Sequence, residues 1–240
     1  GPQATPWVRP TWETLPDPLG PNWKDDRKGK KDQTSYIQNL INTNKIAELP
    51  EGVFYISSTL FVPIDDQHGI IGSGTGKTVI VGLTDDFPLI SLTGGQDKAF
   101  HMAYLTLQGG SVGIYSSQDY GTQHMAFLHL KFIVFRNQNY GIQLKQMIGF
   151  DNNFLDNLSF VNNNIGFFQD PILPDSDTSS FVDKTMFYKN QFLNCETSVS
   201  MVATRADNLN AWVDSKFDGG NIALNLNGQN FPIVANSEFT

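Results

Sequence analysis

The sequence predicts an all-β solenoid, a coil of parallel strands with a short helix capping its N-terminal end. Three observations carry this. After Lys45 helical periodicity disappears, and short runs of Val, Ile, Leu, Phe and Tyr are separated by Gly, Asn and Asp to the end of the chain. Those runs align with one another: with Leu107, Phe132, Phe160, Phe192, Phe217 and Phe239 in one column, the intervals are 25, 28, 32, 25 and 22 residues. The residues two before them are Leu105, Leu130, Leu158, Asn190, Ser215 and Ser237, and a second column follows as "VGIY" (112–115), "YGIQ" (140–143), "IGFF" (165–168), "SVSM" (198–201) and "NIAL" (221–224). Strand, polar turn and strand, recurring without a helix, is the pattern of a solenoid. Finally, stretches such as "LSFVNNNIGFF" (158–168) set asparagines between apolar clusters. In a coil whose rungs stack about 4.8 Å apart, like stands over like and such asparagines can hydrogen-bond as a ladder. An irregular sandwich with Asn-rich loops is the alternative, but its strands recur at shorter spacing.

Element by element, the first thirty residues hold Pro2, Pro6, Pro10, Pro16, Pro18 and Pro21 and lead into the charged run "KDDRKGKKD". This composition predicts no regular strand or helix but an extended arm or linker over 1–31, with Gly1-Pro2 in the form of a protease-cleavage scar. In "DQTSYIQNLINTNK", Asp32 or Thr34 can cap a helix whose Tyr36, Ile37, Leu40 and Ile41 recur at helical spacing. The solenoid is expected over 32–240. Its last segment, "FPIVANSEFT", reads as the start of another rung, so the coil is expected either to continue beyond Thr240 or to be covered by an oligomer.

Composition narrows the function classes. The 240 residues are 17% charged with a net charge of −8, which argues against a nucleic-acid partner while leaving room for a local basic groove. No apolar run is long enough to span a membrane. Cys195 is the only cysteine, so no intrachain disulfide can form. The wealth of Gly, Phe and Asn fits a secreted or cell-surface, turn-rich protein.

Two motifs fail on inspection. "GSGTGKT" (72–78) lacks the phosphate-loop spacing, and it leads into the strand "TVIVGL" where a phosphate loop must open a helix. His68, His101, His124 and His129 are scattered without zinc-ligand spacing. No cofactor is expected, although Ca²⁺ at Asp175 and Asp177 stays open because its oxygen ligands leave no fixed signature.

The segment "DQTSYIQNLINTNKIAELPEGVFYISSTLFVP", followed by "GIIGSGTGKTVI", resembles the N-terminal cap and first rungs of the pectin-lyase-like right-handed parallel β-helix superfamily. There an Asp-x-Thr-x-x-Ile-Gln segment precedes a Leu-Pro-x-Gly-x-Tyr-x-Ile rung and a Gly-x-Gly turn. The resemblance covers about Asp32 to Thr240 and implies a right-handed, single-stranded parallel β-helix. It is weak for activity, because polygalacturonases, pectate and alginate lyases, other glycosidases, epimerases and tailspikes share this entrance. The Asn-x-Asp, Asp-Asp, Gly-His-Gly and Arg-x-Lys motifs of the polygalacturonases are missing, so their catalytic residues do not transfer.

Chemistry must then come from outward positions. With Ile114, Ile142, Phe167, Val199 and Ile222 inward, alternation turns Tyr115, Gln143, Phe168, Ser200 and Ala223 outward. Lys145 and Asp170, each four residues after a glycine of the repeat, become neighbours on adjacent rungs. Exposed aromatics beside Gln, Lys and Asp suit pyranose faces and hydroxyls; equally, the charged pair fits a weak surface ion pair. Glu196 shares a turn position with Ser111, Asn139 and Asn164, and Asp218 on the next rung could complete a pair of carboxylates of the kind used in glycoside hydrolysis. A lyase would need a base and cationic side chains instead, for which Lys131, Lys145, Arg136, Lys184 and Arg205 are available. "QDPILPDSDTSS" (169–180) is expected as an inserted loop walling a groove. The functional expectation is a carbohydrate-active β-helix, cleaving a polysaccharide through Lys145, Asp170, Glu196 and Asp218, with Tyr115, Gln143, Phe168 and Arg205 holding it. The competing expectation is a non-catalytic glycan-binding or structural module of tailspike or adhesin type.

Overall fold

The computed structural model describes residues 1–4, 10–12, 14–117, 124–145, 149–170 and 181–240 and, within 204–206, the backbone alone. The chain coils as a right-handed parallel β-helix, and every strand pairing is parallel. Among the described residues the strands form three sheets of fourteen, seven and four strands, the four-stranded one spanning only the turns between Gln96 and Asp183. The long sheet carries two rows of strands in each turn. The first row includes Phe154–Asp156, Met186–Tyr188, Ala211–Val213 and Ile233–Ala235; the second includes Thr78–Gly82, Ser159–Val161, Gln191–Leu193 and Lys216–Asp218. In His101–Gln108 and His129–Arg136 the two rows run on as one strand. The seven-stranded sheet includes Val112–Ser117, Tyr140–Lys145, Ile165–Asp170, Thr197–Asn208 and Ile222–Asn230.

The interior is a set of vertical ladders. Phe135, Phe160, Phe192, Phe217 and Phe239 stack ring over ring, with centroids 4.9, 4.7, 5.0 and 4.8 Å apart and ring planes within 9° of parallel. This corrects the sequence alignment at one rung, since Phe135, not Phe132, is in register with Leu107 and Phe160. Leu130 accordingly leaves the column of Leu105, where Ile133 takes its place, and pairs with Met102 and Leu155. Phe132 sits instead at a corner with φ of 52°, a conformation that bulky residues seldom adopt and that periodicity does not announce.

Polar ladders satisfy the backbone where the coil turns. Asn190 Oδ1 accepts the Leu158 amide at 3.0 Å, Ser215 Oγ accepts the Asn190 amide at 3.2 Å, and Asn210 Oδ1 accepts the Thr185 amide at 3.0 Å. Of the three asparagines in "LSFVNNNIGFF", Asn163 is buried and donates to Gln138 Oε1, while Asn162 turns the corner at φ 54° and Asn164 is exposed. Corners are turned in register by left-handed residues such as Asn137, Asn162 and Asn194, a role that Asn fills most easily after Gly. The repeated glycine of "YGIQ" has a packing reason: a Cβ on Gly141 would lie 2.6 Å from the Phe160 ring.

At the N-terminus, helix Thr34–Asn44 covers the end of the coil with Ile37 and Ile41, both fully buried. Tyr36, expected on that face, is 49% exposed. Asp32 accepts from the Ser57 hydroxyl at 2.5 Å and the Thr34 hydroxyl at 2.6 Å, which hold its carboxyl down at about 2. The expected absence of regular structure before residue 31 fails at Trp23–Asp26, a four-residue helical turn.

In the seven-stranded sheet the inward set Ile114, Ile142, Phe167 and Val199 is as expected. In the last rung the position belongs to Leu224, not Ile222, and its outward neighbour is Asn225, not Ala223. The paired glycines Gly219 and Gly220, both at positive φ, precede this rung and hide its register.

Candidate functional site

Alternation along the second row of the long sheet sends one set of side chains outward as two columns. One runs through Val79, Thr106, Val134, Ser159, Gln191 and Lys216; the other runs through Val81, Gln108, Arg136, Val161, Leu193 and Asp218. The N-terminal arm lies across them. Trp12 Nε1 donates to the Asp214 carbonyl at 3.0 Å, and Lys216 Nζ stands 5.6 Å from the Trp12 ring centre. Further along the arm, the Pro16 carbonyl accepts from Arg136 Nη2 at 3.1 Å. Trp23 then packs with Val79 and Val81 in a second hydrophobic cluster, and Arg27 forms a bidentate pair with Asp85 at 2.7 and 3.0 Å.

Between arm and sheet the structure opens two clefts that share Trp12, Leu15 and Gln191. The first, about 270 Å³, is lined by Phe132, Ser159, Asn157 and Lys189, with no carboxylate among the described residues. The second, about 390 Å³, brings together Asp17 from the arm with Arg136, Lys216 and Asp218 from the sheet. Arg136 is 8% exposed. Burial pushes its guanidinium below the usual range, and Asp17 opposes that shift. Among the described residues its Nε is buried without a hydrogen-bond partner, while Nη2 donates to the Pro16 carbonyl.

The expected site residues are distributed unevenly. Lys145 and Asp170 are register neighbours, as the spacing predicts, and Gln143 Nε2 donates to Asp170 Oδ2 at 3.0 Å. Tyr115, Gln143, Phe168 and Ser200 do form one outward column. It is no open platform, because Gln143 and Ser200 are 8% and 5% exposed and the two aromatics are only half exposed. Glu196 and Asp218 each have a hydrogen-bond partner of their own. Asn221 Nδ2 donates to Glu196 Oε1 at 2.5 Å and Thr240 Oγ1 donates to Asp218 Oδ1 at 3.0 Å, the two carboxylates lying on opposite sides of a corner. The Arg205 side chain and the 171–180 stretch with Asp175 and Asp177 lie outside the described residues. Among the described residues no cluster of three metal-ligating side chains occurs, and no helix is long and apolar enough to cross a membrane.

Sequence reasoning missed Trp12 and Asp17. The arm has no periodicity from which its path could be read, and only a tryptophan in a proline-rich segment marks a residue with an apolar surface to cover.

Fold and cleft together define a right-handed parallel β-helix whose outer face is roofed by its own N-terminal arm. No protein-family model matches the chain. Among solved structures it is similar to the A-module of the mannuronan C-5 epimerase AlgE4 of Azotobacter vinelandii, at 15% identity over 90% of this chain and 75% of that one, with a TM-score of 0.43. It is also similar to the AlgE6 A-module of that organism, at 12% identity over 90% and 98% of the two chains with a TM-score of 0.40. A third similarity is to ORF18 of Geobacillus virus E2, at 13% identity over 89% and 59% with a TM-score of 0.30.

Proposed function

We propose that the protein is a carbohydrate-active β-helix that holds a polysaccharide in the arm-roofed cleft and hydrolyses it, in an extracellular or cell-surface setting. The observation that carries this reading is the cleft that brings Trp12, Asp17, Arg136, Lys216 and Asp218 together. An indole offers a face for a pyranose ring, the guanidinium and ammonium offer donors to hydroxyl or carboxylate oxygens, and two carboxylates approach from opposite walls. Two carboxylates across a sugar-binding cleft are what glycoside hydrolysis requires, one donating a proton to the leaving oxygen and the other attacking or activating water. This replaces the Glu196–Asp218 pairing with Asp17 and Asp218.

The test is incubation with neutral and acidic polysaccharides while reducing ends and the ultraviolet absorbance of unsaturated products are followed together. Reducing ends that rise without absorbance support hydrolysis, and Asp218→Asn should then lower the rate by at least about a hundredfold with little change in melting temperature. Absorbance rising with reducing ends would make the reaction an elimination. The competing reading, glycan capture without cleavage, is favoured by one observation: Asp218 already accepts a hydrogen bond from Thr240. Silence in both assays together with retention of polysaccharide would establish it.

A further inference from the structure

A third groove, about 540 Å³, runs along the corner between the second row of the long sheet and the seven-stranded sheet, separate from the two arm-roofed clefts. Its wall is built from amides: Asn137, Asn139, Asn162 and Asn164, with Ser111 beside them and Trp23 at one end. These asparagines stand in two rows. Asn137 and Asn162 occupy the left-handed corner position, at φ 61° and 54°, where the backbone itself favours Asn. Asn139 and Asn164 do not have positive φ, so backbone conformation does not account for them.

The second row continues along the coil as Glu196 and Asn221, and there the side chains satisfy each other. Within the groove they do not: the side-chain amides of Asn139 and Asn164 have no hydrogen-bond partner among the described residues. The unpaired amides are therefore confined to the groove. Among the described residues lining it, only Lys24 and Asp85 are charged; Asp85 is shared between Lys24 at 3.6 Å and Arg27 at 2.7 Å, so the groove carries one net positive charge at its Trp23 end and none along the amide rows.

We propose that this corner groove is a second carbohydrate site, which takes a neutral polysaccharide laid along the solenoid axis. Each amide presents a donor and an acceptor, which matches a sugar hydroxyl that is also both. Successive rungs repeat at about 4.8 Å, comparable to the advance of one pyranose unit along an extended chain, so consecutive sugars meet equivalent amides. The amide rows themselves are uncharged, and one exposed cation at the groove's end is screened by salt and gives an anionic chain little advantage. The site is independent of whether the arm-roofed cleft cleaves anything.

The test is titration calorimetry with hexasaccharides of β-1,4-glucan, β-1,4-mannan and α-1,4-glucan, and with hexagalacturonate as the charged control. The proteins compared are the unmodified chain and the double variant Asn139→Ala/Asn164→Ala. The expected result is binding of at least one neutral hexasaccharide, insensitive to salt and weakened at least about tenfold in the double variant at unchanged melting temperature. Absence of binding to every neutral hexasaccharide, or equal binding by the double variant, would overturn the proposal. Failure of the cleft reading would show separately, as Asp218→Asn retaining full cleavage activity.

Discussion

The two sides of the same strands follow different rules. In the second row of the long sheet the inward side chains repeat almost without variation, one phenyl ring above another from Phe135 to Phe239. The outward side chains of those rungs change from turn to turn: Arg136, Val161, Leu193, Asp218. Stacking enforces the first pattern, because each ring must match the one above and below it. Nothing enforces the second, so the outer face is where rung-by-rung chemistry can be written and where the clefts occur. On these strands the repeated side holds the coil together, and the side that departs from repetition lines the arm-roofed clefts.

Three substitutions probe that distinction. Phe192→Ala removes a fully buried ring from the middle of the ladder, leaving Phe160 and Phe217 each without a partner on one side. It should cost about 3–5 kcal/mol in denaturant unfolding. A loss under about 1 kcal/mol would show that the ladder is not the stabilising element. Trp23→Ala tests an outward contact that behaves like core, since the indole is 7% exposed and packs on Val79 and Val81. The expected loss is about 3 kcal/mol, with faster proteolysis before residue 30. Unchanged stability and proteolysis would show that the arm is anchored elsewhere.

Asp207 reverses the case, an inward position that carries an ionisable group. It is fully buried and accepts from the Val182 amide at 2.7 Å and Gln229 Nε2 at 2.6 Å, yet burial pushes its carboxyl up to about 6. Between the ordinary value near 4 and about 6, the folded state binds the proton more tightly than the unfolded state. Stability should therefore fall as pH rises through that window and level off above it. Asp207→Asn should remove this slope and raise stability at pH 7.5 by about 2 kcal/mol. Melting curves of both proteins from pH 4 to 8 check it, and a persistent slope in the variant would assign the titration to another group.

How much of this was legible in the sequence follows from the same distinction. The repeat, the asparagine ladders and the Lys145–Asp170 register depend on like residues recurring at like positions, which one sequence displays, and the capping helix after Asp32 is announced by its own helical spacing. Phe132 was misplaced because "LHLKF" imitates the spacing of the ladder, while the true rung, "IVF", lies just beyond a corner at an unfavourable φ. Ile222 was misplaced because two glycines hide where the strand begins. That Asp17 and Asp218 line one cleft was not legible at all. It depends on the path of an aperiodic arm over a surface some two hundred residues away in the chain.

That arm also changes how the coil should melt. In a solenoid each rung touches its immediate neighbours, so its stability is close to that of a one-dimensional chain of coupled units, free to fray from either end. The arm joins non-adjacent units, tying residue 12 to residue 214 at one end and Arg27 to Asp85 at the other. Opening of the last turns is then linked to release of a strap anchored near the first, and unfolding that would proceed end by end gains a reason to be all-or-none.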